Sequence, residues 1–344
     1  MKNKLIVAAL ALTLVPFGSA EALAVSGPVE RTTLSKDVEI TPGVTTKLIG
    51  RTLTLKSGEK RHLRARLEAT SSTTGIVGLT SRIKCVDPAG AATPVVAASA
   101  RNHEGHDTDT YAVPGHLPLY ADLLLTAPAA GTYTCGLYGS AYSSLSGEYH
   151  LTAVANSTWL EVSGSDQTGA GWWQNPACES ADSGGNCTYV GSGSADPDAW
   201  IFYDDGTPVQ KWQASPSVSS VAAQANVELT TCYNGTASCA TAMHRYPRGT
   251  NAVVDTRFDF IQLDTTGHAC RTSSTETSRR TITDDGHHYA AYFSLPDVPV
   301  DPSCGTRTFI LRVYVKHVSG QTVKIDGVQS GVTSLTNAIA FNKF

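Results

Sequence analysis

The sequence predicts an all-β protein built as two tandem, disulfide-stapled β-sandwiches. Three observations carry that expectation: apolar residues recur with a period of two, turn-forming clusters separate the runs, and the eight cysteines are even in number. Leu63, Ala65, Leu67 and Ala69 alternate with His62, Arg64, Arg66 and Glu68. Tyr289, Ala291, Phe293 and Leu295 form a second such run. Phe309, Leu311, Val313 and Val315 form a third, alternating with Ile310, Arg312, Tyr314 and Lys316. Successive side chains of a strand point to opposite faces, so each run describes a strand with one buried face and one wetter face. Lys56-Ser57-Gly58-Glu59, Asp204-Asp205-Gly206 and Asp284-Asp285-Gly286 are turn signals between the runs. No long amphipathic helical pattern interrupts them, and many short strands with Gly- and Pro-rich connections indicate sandwiches.

The first 24 residues read as a secretory signal peptide. Lys2 and Lys4 precede an apolar run from Leu5 to Val15, and small residues follow at Ala20, Ala22 and Ala24. Cleavage is expected after Ala24, with Ala20 as the alternative. The run is too short for a membrane-spanning helix, and no later stretch is long and apolar enough to make one. The expected location is therefore secreted, outside the cell. Charged residues make up 16% of the chain and the net charge is -4, which argues against disorder and against nucleic acid as a partner.

In an oxidising compartment the cysteines are expected to pair as staples. Cys178 with Cys187 and Cys232 with Cys239 are near neighbours separated by turn formers, so each pair suits a local loop. Cys85 and Cys135 lie in strand-like segments of the first half, which leaves Cys270 with Cys304. A metal site is disfavoured, because neither short pair has the close spacing of a zinc knuckle.

A weak internal repeat divides the chain. Asp87-Pro88-Ala89-Gly90 precedes Gly131-Thr132-Tyr133-Thr134-Cys135, and Asp264-Thr265-Thr266-Gly267 precedes Gly305-Thr306-Arg307-Thr308-Phe309 at a similar distance. This places one sandwich over residues 25–155 and a second over 156–344. The segment Gly131-Thr132-Tyr133-Thr134-Cys135 resembles the sixth-strand signature of immunoglobulin-like domains. The resemblance implies a corner made by the Tyr133 hydroxyl, and a Cys135 that crosses to Cys85 in the opposite sheet. Ala129 stands where the family has Asp, and no Trp lies between the two cysteines. The match covers one strand, so it supports an immunoglobulin-like or jelly-roll-like sandwich and no family function.

Catalytic signatures are incomplete. Asp182-Ser183-Gly184-Gly185 resembles the nucleophile loop of trypsin-like proteases, but Ala181 and Asn186 replace the flanking Gly and Pro. The His-bearing segment is also absent upstream. His103-Glu104-Gly105-His106-Asp107 and Asp284-Asp285-Gly286-His287-His288 lack metal-binding helical spacing and read as loops. Asp196, Asp198, Asp204 and Asp205 could offer oxygens to calcium, yet the EF-hand pattern is missing, so no cofactor is expected.

All five tryptophans, Trp159, Trp172, Trp173, Trp200 and Trp212, fall in one stretch of the second half. Trp159, Trp200 and Trp212 read as core. The pair Trp172-Trp173 sits in a loop-like context where one ring is free to face solvent. The expected ligand contacts are Trp172, Trp173, Gln174 and Tyr189. The leading expectation is a secreted, non-catalytic protein that binds an extracellular glycan or protein. One alternative is a secreted hydrolase assembled in space from Asp204, Asp205, Asp284, Asp285, His287 and His288. Another is a structural or inhibitory surface protein.

Overall fold

The computed structural model describes residues 29–71, 77–101, 116–143, 151–164, 168–173, 188–191, 198–204, 207–208, 210–232, 250–283, 288–327 and 334–343. The signal peptide, His103, His106, Gln174, Cys178, Ser183, Cys187, Asp196, Asp205, Cys239, Asp284, Asp285 and His287 lie outside them. So do the side chains of Trp173, Asp204 and Cys232.

The first half contributes β1 (Val29–Thr33), β2 (Val38–Ile40), β3 (Thr46–Leu55), β4 (Lys60–Ser71), β5 (Val77–Val86), β6 (Val96–Arg101), β7 (His116–Thr126), β8 (Gly131–Ser143), β9 (Leu151–Ala153) and β10 (Trp159–Ser163). Sheet I runs β1-β10-β4-β9-β2 with β7 added beside β4, and sheet II runs β3-β8-β5-β6.

The second half contributes β11 (Gly169–Trp173), β12 (Thr188–Val190), β13 (Asp198–Ile201), β14 (Tyr203–Asp204), β15 (Thr207–Pro208), β16 (Trp212–Gln213) and β17 (Ser220–Cys232). It continues with β18 (Ala252–Leu263), β19 (Ala269–Ser274), β20 (Ser278–Ile282), β21 (His288–Pro299), β22 (Thr308–Gly320), β23 (Thr322–Asp326) and β24 (Asn337–Lys343). Sheet III runs β11-β24-β17-β23-β12 with β21 beside β17. Sheet IV runs β13-β22-β18-β19 with β16 and β20 added. The only helical turn among the described residues is the 3-10 segment Pro302–Cys304.

The fold is thus all-β, as the alternation predicts. Leu63, Ala65, Leu67 and Ala69 are fully buried between sheets I and II. Phe258, Phe260, Phe309 and Leu311 are fully buried in the second half, with the Phe260 and Phe309 rings stacked 4.9 Å apart. Each such side chain contributes about 1.5–3 kcal/mol by leaving water. The expected division at residue 156 needs one correction. β10 lies between β1 and β4 in sheet I, so Trp159–Ser163 belongs with the first half. All five of its residues are buried, which hides the alternation that would have marked it as a first-half strand.

Two of the expected disulfides fall among the described residues, Cys85–Cys135 and Cys270–Cys304. The Tyr133 hydroxyl donates to Ala129 O at 2.8 Å and accepts from Ala129 N at 3.3 Å, which is the corner the resemblance implies. The bridge beside it departs from the resemblance. Cys85 and Cys135 are direct cross-strand partners on β5 and β8, with Cα atoms 4.0 Å apart. The bond therefore closes one rung of sheet II and does not span the two sheets. The repeated D-x-x-G strings form the same turn twice. Asp87 Oδ1 accepts from Ala89 N and Ala91 N, while Asp264 Oδ1 accepts from Thr266 N and His268 N. Gly90 and Gly267 supply left-handed φ values of 85° and 88° that a side chain would resist.

The halves meet through the outer faces of sheets I and III. His62 and Arg64 occupy polar positions of the β4 alternation, yet both are buried because sheet III covers them. His62 Nε2 lies 2.7 Å from Asp122 Oδ1, and its ring centroid lies 4.6 Å from that of Phe341. Leu124 packs on Ala222, Ile339 and Phe341. From sheet II, Ser99 N donates to Glu228 Oε2 at 3.2 Å.

Candidate functional site

Of the expected ligand contacts, Trp172 lies in the core. Trp172 is only 1% exposed, it belongs to the main core, and its indole N–H donates to Gln210 O. Strand pairing of β11 with β24 turns this ring inward, so it presents no face to a ligand. Tyr189 is half-buried on β12 opposite Lys324. Trp159 and Trp212 are buried, as expected for core residues. Trp200 is not. It stands half-buried on the outer face of sheet IV.

The local sequence explains that placement. β13 alternates, so Ile201 enters the core while Trp200 and Asp198 point outward. At Phe202 the chain takes φ 64°, a left-handed value that is rare for a bulky residue. This turn buries Phe202 directly after Ile201 and returns Tyr203 to the outer side, near Arg312. Backbone strain of this kind costs on the order of 1–3 kcal/mol and is characteristic of functional sites.

Cross-strand register then assembles a row. Trp200 pairs with Tyr314, and Tyr314 pairs with Arg257. The Trp200 and Tyr314 ring centroids are 4.6 Å apart, and the Arg312 guanidinium lies 3.8 Å from the Trp200 centroid. Arg257 sits 5.7 Å from Tyr314 and 5.8 Å from Trp200. Asp259, 1% exposed, holds both cations: it accepts from Arg257 at 2.8 and 3.1 Å, from Arg312 at 3.2 Å and from Ser274 at 2.8 Å. Tyr314 donates to Asp198 at 2.7 Å, and burial together with this carboxylate raises its phenol pKa. In the next row Arg279 grips Asp255 at 2.8 and 2.9 Å and holds its carboxyl below the usual range.

A hollow of about 270 Å³ adjoins the row, lined by Tyr203, Lys211, Ile261, Leu263, Ile310 and Arg312. The arrangement is a rigid sheet face of indole, phenol and guanidinium groups with a recess beside it. Linear reading misses it because Trp200 is the middle of a short strand. The usable signal was the outward series Arg312, Tyr314 and Lys316 opposite Arg257 and Asp259.

Of the expected hydrolase residues, His288 alone has a described side chain. Asp204 stands on β14, where it pairs with Thr207 of β15. His288 Nδ1 lies 3.2 Å from Glu228 Oε1 and 4.0 Å from Asp326 Oδ2, and Lys324 Nζ lies 2.5 Å from Asp326 Oδ1. The Glu228 side chain is fully buried and that of Lys324 is 2% exposed, while Asp326 and His288 keep 9% and 23% of their side chains exposed. Asp198, one of the oxygens considered for calcium, is engaged by Tyr314. Among the described residues no group of three or more His, Cys, Asp and Glu is arranged to hold a metal ion.

Fold and site together define a multi-sheet all-β protein with a cation–aromatic face. No family model matches the chain, and no curated protein matches it. Among solved structures it is similar to the infectious bursal disease virus VP2 subviral particle, at 9% identity and TM-score 0.29, over 92% of this chain and 41% of that chain. The chain thus spans about two-fifths of VP2. It is also similar to the CBM22-1-CBM22-2 tandem domain from Paenibacillus barcinonensis Xyn10C, at 9% identity and TM-score 0.24, over 93% and 98%. A third similarity is to the stem and receptor binding domain of spike protein P1 from bacteriophage PM2, at 10% identity and TM-score 0.23, over 93% and 98%. Likeness at this level carries no functional argument.

Proposed function

We propose that this is an exported, non-catalytic binding protein that grips a protein partner with the Trp200 face of sheet IV. The supporting observation is the row of Trp200, Tyr314, Arg257 and Arg312 organised around the buried Asp259. Trp, Tyr and Arg are the side chains that dominate binding energy at protein interfaces. Here they are held in place before any partner arrives, which lowers the entropy cost of association. The recess beside Tyr203 suits one anchoring side chain of the partner. A glycan is the weaker ligand for this face, because Arg312 already covers the indole surface on which a sugar ring would stack. Export rests on the basic and apolar N-terminal segment and on the two disulfides among the described residues. We read the two pairs of sheets as two sandwich domains. No helix among the described residues is long and apolar enough to cross a membrane.

The test has two stages. Proteins of the extracellular fraction of the source are captured on the wild type and on Arg312→Ala, and the differential partner is purified and titrated calorimetrically. A loss of affinity of tenfold or more in Arg312→Ala supports the reading. A glycan-array signal that vanishes in Trp200→Ala, with no protein partner, contradicts it.

A further inference from the structure

Sheet II carries positive charge that no carboxylate of its own answers. β3, β5 and β8 together contain Lys47, Arg51, Arg82 and Lys84 and no Asp or Glu, although the whole chain has a net charge of -4. Arg51 turns to Glu30 of β1 and is neutralised there. The other three stand on the outer face. Register sets Lys47, Tyr138 and Arg82 in one row across the three strands, and Gly50, Gly136 and Lys84 in the next. Neighbouring strands lie about 4.8 Å apart and alternate residues about 7 Å apart, so the three stems form a triangle with sides of roughly 7–12 Å. Lys47 and Lys84 are exposed, and the Lys47 ammonium lies over Gly50, where the missing side chain leaves it room. Arg82 is half-buried. Its guanidinium reaches the Thr45 hydroxyl at 3.5 Å, and burial lowers its pKa with no carboxylate to oppose the shift. Beyond the glycines, the exposed pairs Thr52–Thr134 and Thr54–Thr132 continue the same face.

We propose that this face binds an acidic polysaccharide, whose anionic groups meet Lys47, Arg82 and Lys84 and whose hydroxyls meet the threonine rows. Three cations without counter-charges attract a polymer that carries repeated negative charge. A threonine hydroxyl both donates and accepts, so it matches a chain that is rich in hydroxyls as well as anionic. The backbone N–H groups here are spent in the strand ladders, so no amide cradle is left for one small anion. Small molecules bind in concave sites, whereas this is an open sheet face. Nucleic acid fits less well, because no element projects from the face to enter a groove. A bilayer fits less well too. Among the described residues the exposed large apolar side chains are Val44 and Val318, and neither lies on these strands. The site is on sheet II and does not depend on the reading of the Trp200 face.

The experiment is calorimetric titration of the full chain with polygalacturonate and with dextran sulfate, at about 50 and about 300 mM NaCl, with neutral dextran as the uncharged control. At least one polyanion is expected to bind saturably at the lower salt and at least tenfold more weakly at the higher, while neutral dextran does not bind. Lys84→Gln is expected to weaken the binding at least threefold and Lys47→Gln/Lys84→Gln at least tenfold. Lys36→Gln removes the same charge from an exposed bend of the first half and is expected to leave it unchanged. The tighter of the two polyanions shows whether carboxylate or sulfate is preferred. No saturable binding by either polyanion, equal binding of neutral dextran, or equal losses in Lys36→Gln and Lys84→Gln would each overturn the proposal. So would tighter binding to phosphatidylglycerol vesicles or to double-stranded DNA than to both polysaccharides.

Discussion

The Arg312 guanidinium carbon stands 3.8 Å from the Trp200 indole centroid while its Nε donates to Asp259 Oδ2. A half-exposed contact of this type contributes about 0.5–1 kcal/mol to the fold. Its larger effect is to hold two interface-prone side chains in one geometry. Trp200→Ala is therefore expected to lower stability by no more than about 1 kcal/mol in urea titrations. The same change should weaken partner binding by about 2 kcal/mol or more, roughly thirtyfold.

Asp259 is the keystone of that face. Removing a buried carboxylate leaves Arg257 and Arg312 without their shared acceptor and a cavity beneath them. Asp259→Ala should cost about 1–3 kcal/mol in equilibrium unfolding, and more than Asp255→Ala, whose Arg279 partner is exposed. Equal losses for the two variants would show that the row is not organised around Asp259.

The seam between the halves makes a prediction about alkaline stability. Burial, and then the Asp122 charge, push the Tyr292 phenol well above its ordinary value. The folded chain therefore keeps this proton at pH values where the unfolded chain, with a phenol pKa of about 10, releases it. The stabilisation is complete below pH ~10 and is lost as pH rises from there towards the folded value, by up to about 1.4 kcal/mol per pH unit. Tyr292→Phe cannot ionise, so its stability should fall less steeply than the wild type between pH 10 and 11.5. Chemical unfolding at stepped pH measures the two slopes.

Two elements at the end of the first sandwich should separate in size. The bridge Cys85–Cys135 joins residues 50 apart, and its removal by Cys85→Ala/Cys135→Ala should cost about 2–5 kcal/mol. The neighbouring corner is a single hydrogen-bonded hydroxyl, so Tyr133→Phe should cost about 1 kcal/mol. Differential scanning calorimetry of both variants gives the comparison.

Much of the architecture was legible because a strand writes its two faces into alternate residues, as β4 and β22 do. The same code is silent about what covers the second face. His62 and Arg64 read as solvent-facing, yet another sheet lies over them. Cys85 and Cys135 could be paired from their strand positions, but whether the bond crosses sheets or joins neighbours depends on register, which composition does not encode. The tryptophans show the limit most clearly. Trp172 sits among glycines and was expected to face a ligand, but pairing with β24 turns it inward. Trp200 looked like core, but the alternation of β13, which sends Ile201 inward, leaves it on the outer face.

The central claim is that the Trp200 face carries the binding function. The most direct measurement is the calorimetric isotherm of the purified extracellular partner against the wild type and Trp200→Ala, both verified as folded. The account predicts saturable binding to the wild type and a roughly thirtyfold or greater loss of affinity for Trp200→Ala. Superimposable isotherms, or no extracellular protein that binds the wild type saturably, would contradict it.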